Sequence, residues 1–151
     1  MNKVEVTITI RADARRCFDF VAEPANIPRF MAGVKRYEPQ GKKDRGKGAR
    51  FDSLAVVAGR NIETVLEIID WKDCERMTAI TDGGIKLRAS WIFEEYDDGT
   101  TDVTLTNEYD PPGVFKLMGG LVRPTVDRGI SQSLARLKRL VEAETREARR
   151  V

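Results

Sequence analysis

Segments that alternate between apolar and polar residues recur along this chain, and they constrain its fold more than any other feature. In the first of them the apolar side carries four β-branched residues, Val4, Val6, Ile8 and Ile10. A period of two predicts a β-strand with one buried face. Comparable segments follow at 34–40, 50–58, 61–71, 76–81, 86–95 and 102–109, so the sequence predicts seven strands. Asp97, Asp98 and Gly99 separate the last two, which should form a hairpin.

Two short helices are expected between the first and second strands. Asp13 can cap a helix that runs through Val21, because its carboxylate can accept hydrogen bonds from free backbone N–H groups of the first turn. Pro24 should end this helix. Asn26 can cap a second helical turn, through Phe30, which stops at Gly33.

The C-terminal part of the chain has the spacing of helices. Residues 114–122 are apolar around Gly119 and Gly120, and Pro124 begins a long amphipathic run. Its apolar stripe consists of Val126, Ile130, Leu134, Leu137 and Val141. From Glu142 onwards the chain is highly charged, so residues 142–151 are expected to fray or to project as a tail.

The order of these elements predicts an α+β fold. A sheet with one apolar face must bury that face, and only the C-terminal helix is long enough to cover it. We therefore expect a curved, seven-stranded antiparallel sheet wrapped around that helix. The 151 residues contain no repeat and no Pro-, Gly- or Ser-rich linker, which predicts a single domain over residues 1–151.

Several classes of protein are excluded by residues that the chain lacks. It has no histidine, which rules out Ser-His-Asp catalysis, histidine-ligated zinc and imidazole acid–base chemistry. Its two cysteines, Cys17 and Cys74, form no paired motif, so neither a disulfide framework nor a metal site is expected. A cytoplasmic location fits this cysteine usage. The alternating start predicts no signal peptide, and no apolar run is long enough to insert stably in a membrane.

Three stretches in this order resemble the START-like (SRPBCC) superfamily, which includes the polyketide cyclase/dehydrase and lipid transport family and the birch-pollen allergens. Val4–Phe20 resembles its opening strand and helix, and Ala25–Phe30 is similar to its second helix. Trp91–Glu94 together with Gly99–Leu105 resembles its last hairpin. Cys17 stands where the family often has valine and Phe30 where it often has tryptophan, and both substitutions keep an apolar residue.

This resemblance implies a helix-grip fold with a cavity between the curved sheet and the last helix. In that superfamily the cavity accepts hydrophobic small molecules such as lipids, polyketides or quinones. The function hypothesis is therefore binding or transport of such a ligand, with no cofactor. One alternative is a cyclase or dehydratase acting on a polyketide-like substrate, and another is a protein-partner or assembly module. Enzyme activity stays open, although no recognisable catalytic set is present.

The candidate ligand-binding residues lie on the inward faces of the predicted elements. They are Phe30, Leu87, Ala89, Trp91, Phe93, Leu105, Asn107, Tyr109, Phe115, Met118, Leu121, Ile130 and Leu134. The apolar strand positions are either cavity wall or ordinary core. Ala89 favours a cavity, since a small residue beside Trp91 leaves room.

Two polar residues continue the inward face of the last strand. Asn107 and Tyr109 either anchor a ligand or are satisfied locally, by backbone or by water. Tyr109 is also the best single candidate for a general acid, and the paired carboxylates Glu63 and Glu67 are a second possibility for acid–base chemistry.

The segment 114–122 is either a lid over the cavity or a core helix broken by its two glycines. The basic residues at 42–50 and in the last helix are interpreted as solvated surface, because the net charge is only +2 and no nucleic-acid motif accompanies them. No nucleic-acid partner is therefore expected, and no sequence pattern predicts the oligomeric state.

Overall fold

Seven strands, two short helices and one long helix make up the part of the chain that the structure describes. A computed structural model describes residues 2–110 and 122–150. The strands are β1 (Asn2–Ile10), β2 (Val34–Pro39), β3 (Arg50–Val57), β4 (Arg60–Lys72), β5 (Arg76–Asp82), β6 (Lys86–Glu95) and β7 (Thr101–Asp110). The helices are α1 (Ala14–Ala22), α2 (Ile27–Phe30) and α3 (Val122–Arg149). A 3-10 turn, Pro24–Asn26, joins α1 to α2.

All seven strands belong to one antiparallel sheet in the order β1-β7-β6-β5-β4-β3-β2. The predicted strand count and the predicted β6–β7 hairpin are confirmed. The first strand pairs with the last one, so Val4 lies opposite Asn107 and Val6 opposite Leu105. The sheet curves around α3, which confirms the helix-grip fold.

A β-bulge between Ile68 and Asp70 changes which residues of β4 face inward. Before the bulge Leu66 and Ile68 are buried, whereas after it Trp71 packs edge-on against Phe18, with ring centroids 5.0 Å apart. Asp70 points away from the core and pairs with Arg76 at 2.7 Å. The bulge adds local twist, and that twist helps the long strand to bend around the core.

The long helix α3 buries the apolar stripe that its spacing predicts, apart from Val126 at its start, which is partly buried and lines a surface space. Ile130, Leu134, Leu137 and Val141 are all 4% exposed or less. The chain does not fray at residue 142, because α3 continues to Arg149, and its last residues from Arg146 onwards are exposed, as expected for a projecting tail. Thr145 continues the buried stripe, and its hydroxyl donates to the carbonyl oxygen of Val141 at 2.7 Å.

The two short helices begin differently from one another. The Asp13 carboxylate accepts a hydrogen bond from the backbone N–H of Arg16 at 2.8 Å, so the predicted cap of α1 is confirmed. The predicted cap of α2 is wrong. Asn26 has helical dihedrals because it belongs to the preceding 3-10 turn, and its side chain donates to the carbonyl oxygen of Phe20 and accepts from Arg29 instead.

Candidate ligand-binding cavity

A cavity of about 190 Å³ lies against the concave face of the sheet. Its walls come from α2, from the loop that follows α2, from the turn between β5 and β6 and from every strand except β1. The lining residues are Ile27, Met31, Val34, Tyr37, Ser53, Ala55, Val57, Ile62, Thr64, Leu66, Ala79, Ile85, Leu87, Ala89, Trp91, Leu105 and Asn107. None of them is acidic or basic.

Small side chains at the centre of the sheet make room for this cavity. Ala79 on β5 lies directly opposite Ala89 on β6, and both line it. The next inward pair, Met77 and Trp91, is large and buried. The two small alanine side chains therefore leave a space in the core. Beside them, the larger side chains of Met77 and Trp91 fill the equivalent volume.

A second, larger space of about 450 Å³ lies between the first half of α3 and β3. Gly129, Ile130 and Ser133 line it from α3, while Ala55 and Val57 line it from β3. We refer to it as the cleft. It shares six lining residues with the cavity, namely Met31, Val34, Ala55, Val57, Leu87 and Asn107, so the two spaces adjoin. The cleft falls within the range of about 300 to 1,000 Å³ that is usual for small-molecule sites.

Two polar atoms in the cavity wall are buried without a hydrogen-bond partner among the residues that the structure describes. They are Thr64 Oγ1 and Asn107 Oδ1. Asn107 stands between Ala89 and Val4, its neighbours on the adjacent strands, and neither side chain can form a hydrogen bond with it. Buried polar groups usually find partners, so each of these two atoms requires an explanation.

Tyr37 brings a phenol to the same cavity, and its ring stacks on Phe51 with centroids 4.7 Å apart. Burial raises the pKa of Tyr37 above its usual value. Its hydroxyl is therefore neutral at physiological pH.

The structure brings six of the predicted ligand residues to these spaces. Leu87, Ala89, Trp91, Leu105 and Asn107 line the cavity, and Ile130 lines the cleft together with Leu87 and Asn107. That they bind a ligand remains a prediction.

Three other predicted residues lie in the solid core. Phe30 packs against Phe20 and Trp91, Phe93 packs against Phe18 and Trp91, and Leu134, a residue of α3, is fully buried. Alternation predicts which side chains of a strand face inward, but it does not predict which of them border empty space. Large side chains that meet in the core fill the space between them.

Tyr109 lies on the inward face of β7, 4% exposed, but it lines neither the cavity nor the cleft. Its hydroxyl has no hydrogen-bond partner in the described part of the chain. Burial raises the pKa of Tyr109, and the Asp127 carboxylate adds to the rise, while Asn2 and Arg123 oppose it. As with Asn107, any contact of Tyr109 with a ligand remains a prediction.

Phe115, Met118 and Leu121, and with them the predicted lid at 114–122 apart from its last residue, lie outside the described residues.

The carboxylates considered for catalysis do not face the cavity. Glu63 has a 74% exposed side chain and pairs with Arg36, while Glu67 pairs with Arg50 at 3.1 Å. Both lie on the outer face of β4. Glu95, a further carboxylate at the end of β6, has a structural role, because it accepts a hydrogen bond from the backbone N–H of Ala14 at the start of α1.

The wall that β3 and β4 contribute is not among the predicted ligand-binding positions. Ser53 lies opposite Thr64 and Ala55 opposite Ile62 across this hairpin, and all four line the cavity. The sequence feature that could have identified these four residues is the alternation in 50–58 and 61–71, because it places them on the same side as buried Phe51 and Leu66. The β3–β4 turn fixes which pairs meet.

Within residues 2–110 and 122–150, no group of three or more Cys, Asp and Glu residues is placed to hold a metal ion. Over the same ranges, no helix has both the length and the apolar character needed to cross a bilayer.

Comparison with solved structures finds the same fold in proteins of low sequence identity. The Zhui aromatase/cyclase from a Streptomyces species superposes with a TM-score of 0.81 at 16% identity, covering 97% of each chain. A protein from Thermus thermophilus gives 0.79 at 21% identity, covering 95% of this chain and 99% of its own. A START superfamily protein from Mycobacterium smegmatis gives 0.68 at 12% identity, over 97% and 98%. At these identities the likeness shows the fold alone.

No curated protein matches this sequence. A family model does match it: residues 1–142 fit "Polyketide cyclase / dehydrase and lipid transport". That match covers the strands, the short helices and most of α3, so the chain belongs to the polyketide cyclase/dehydrase and lipid transport family.

Proposed function

We propose that this protein binds a hydrophobic small molecule in the cavity and the adjoining cleft, and that it acts as a carrier or receptor rather than as an enzyme. The observation that carries the proposal is the cavity of about 190 Å³, whose wall is almost entirely apolar and which shares six residues with the larger cleft. Apolar walls with a few polar groups are typical of small-molecule sites. The cytoplasmic location expected from the cysteine usage remains part of the proposal.

The lining also favours binding over cyclisation. Acid–base catalysis needs a titratable group within hydrogen-bond reach of the substrate. Among the described residues, the cavity lining offers no carboxylate, lysine or arginine for this, and the candidate acid Tyr109 is not part of it. Over the same part of the chain, the cleft adds one charged side chain, Arg128, at an exposed position of α3. Within the described part of the cavity wall, Tyr37 has the one titratable side chain, and its raised pKa keeps the phenol protonated.

The first experiment looks for a ligand that is already bound. Native mass spectrometry of freshly purified protein should show a mass above that of the chain, and organic extraction should release an apolar compound. A protein partner recovered together with a ligand-free chain would instead support the assembly module.

A pair of variants then locates the site. Ala89→Leu adds volume to the cavity wall and should reduce binding of the extracted compound at least ten-fold. Ser90→Leu makes an addition of similar size at the next residue of β6, which faces the opposite side of the sheet. It should leave binding unchanged. Equal affinity of the two folded variants would contradict the proposed site.

A further inference from the structure

Thr64 and Asn107 are the two lining residues whose side chains bury a polar atom without a partner, and this distinguishes them from the rest of the cavity wall in the described part of the chain. Leaving a polar atom buried and unpaired costs about 1 to 3 kcal/mol. Another inward hydroxyl of the sheet is satisfied. Thr81 Oγ1 donates to the carbonyl oxygen of Ile85 at 2.6 Å and accepts from the backbone N–H of Leu87 at 3.0 Å.

The two residues line different parts of the cavity wall. Thr64 lies on β4, and Asn107 lies on β7, with β5 and β6 between those strands in the sheet. Asn107 also lines the cleft, whereas Thr64 does not. One polar position is therefore at the junction of the two spaces, and the other is on the far side of the cavity from β7.

The chemistry of these atoms limits what can occupy the site. Asn107 Oδ1 is a hydrogen-bond acceptor, so it requires an O–H or N–H group, while the Thr64 hydroxyl can donate or accept. The cavity wall contains no charged side chain to pair with an ionised group. Burying an unpaired carboxylate or phosphate there would be strongly unfavourable.

We infer that Thr64 and Asn107 are hydrogen-bonding positions of the ligand site, and that the part of the ligand held in the cavity is uncharged, largely apolar and bears a hydroxyl or similar donor group. This rests on the proposed function and narrows its ligand class. Phenols and other hydroxylated ring compounds fit the description, whereas fatty acids with the carboxylate inside the cavity do not.

The test uses three probes of similar shape and different polarity: 2-methylnaphthalene, 2-naphthol and 2-naphthoate. Isothermal titration calorimetry gives their dissociation constants, with protein titrated into probe because the hydrocarbon is sparingly soluble. The decisive quantity is the affinity ratio of 2-naphthol to 2-methylnaphthalene, compared between the parent protein and its variants. This comparison cancels the different hydration of the two probes.

Two shape-conserving substitutions remove the polar atoms, Thr64→Val and Asn107→Leu. In the double variant the ratio should fall about two- to ten-fold, the size of one net hydrogen bond. Thr81→Val, whose hydroxyl is already satisfied, should leave the ratio unchanged. In the parent protein, 2-naphthoate should bind at least ten-fold more weakly than 2-naphthol.

Thermal unfolding without any probe supplies a second readout. Thr64→Val should raise the Tm, because it removes an unpaired polar atom, whereas Thr81→Val should lower it. A lower Tm for Thr64→Val, or an unchanged ratio in a folded double variant, would overturn the inference while leaving the proposed function intact. If none of the three probes binds the parent protein, the result contradicts the proposed function as well as this inference.

Discussion

The backbone N–H of Ala32 donates a hydrogen bond to Ser133 Oγ at 2.7 Å, and that hydroxyl donates in turn to the carbonyl oxygen of Gly129 at 2.6 Å. Ala32 lies between α2 and β2, whereas Ser133 lies on α3. These two hydrogen bonds therefore hold the loop after α2 against the long helix. All three residues line the cleft, so the position of α3 and the shape of the cleft depend on the same contact.

Ser133→Ala should lower the free energy of unfolding by about 1 to 3 kcal/mol, because it leaves the Ala32 N–H without its acceptor. Urea denaturation measures the change. Ser131 lies two residues earlier on the exposed side of α3, and Ser131→Ala is the matched control, with little expected effect. Equal stabilities of the two variants would show that water replaces the Ser133 hydroxyl.

Gly33 should tolerate no side chain. It has a φ of +84°, and an added Cβ would lie 2.6 Å from the carbonyl oxygen of Val56. Gly59→Ala carries a similar dihedral strain in open space, with a φ of +77°, and should cost about 1 to 2 kcal/mol. Gly33→Ala should cost more than Gly59→Ala in the same denaturation experiment, and the difference measures the clash with the β3 backbone. Identical losses would mean that β3 shifts freely.

Asp13→Ala should destabilise the protein by about 0.5 to 2 kcal/mol, since α1 loses the carboxylate that accepts from the Arg16 N–H. Asp13→Asn retains an acceptor oxygen at the same place and should recover most of the stability. Thermal unfolding of both variants tests this. If both lose the same amount, the charge of Asp13 matters more than its hydrogen bond.

Glu142 should make stability depend on pH. Burial alone would raise the pKa of its carboxyl, but hydrogen bonds from Lys138 and from the Arg11 N–H outweigh this and lower the pKa. A lowered folded-state pKa stabilises the protein above the ordinary glutamate value of about 4.3, and the stabilisation is lost as the pH falls through the folded-state pKa.

We therefore expect Glu142→Gln to cost about 1 to 2 kcal/mol at pH 7 and progressively less below about pH 4. Denaturant unfolding at several pH values measures the difference from the parent. Glu144→Gln, at an exposed position of the same helix, is the control and should show no comparable trend. A cost for Glu142→Gln that is the same at pH 7 and pH 3 would contradict the assigned ionisation.

The sequence predicted the elements of this fold well because both of its periodicities are regular. The alternation from Lys86 to Glu95 predicted β6 with its observed bounds, and the stripe ending at Val141 predicted the buried face of α3. Sequence alone missed the bulge at Ile68/Asp70, because a bulge interrupts the alternation without any characteristic residue.

The cavity was harder to predict than the sheet. Whether Phe93 or Ala89 borders free space depends on what lies opposite each of them, and for Ala89 that neighbour is another alanine, Ala79. The opposite pairs are set by the register of strands that lie apart in the sequence. For the same reason Thr64 was missed, since its burial depends on how β3 and β4 pair.

The pairing of β1 with β7 also constrains how this chain can fold. Asn2 meets Tyr109 and Ile10 meets Thr101, so β1, which is synthesised before the other strands of this sheet, has to wait for β7 before it can join the sheet. Closing such a long loop is entropically costly and slows folding. Local hairpins from β2 to β7 can form before that step. We therefore expect pulsed hydrogen exchange during refolding to protect the amides of β4 and β5 earlier than those of β1.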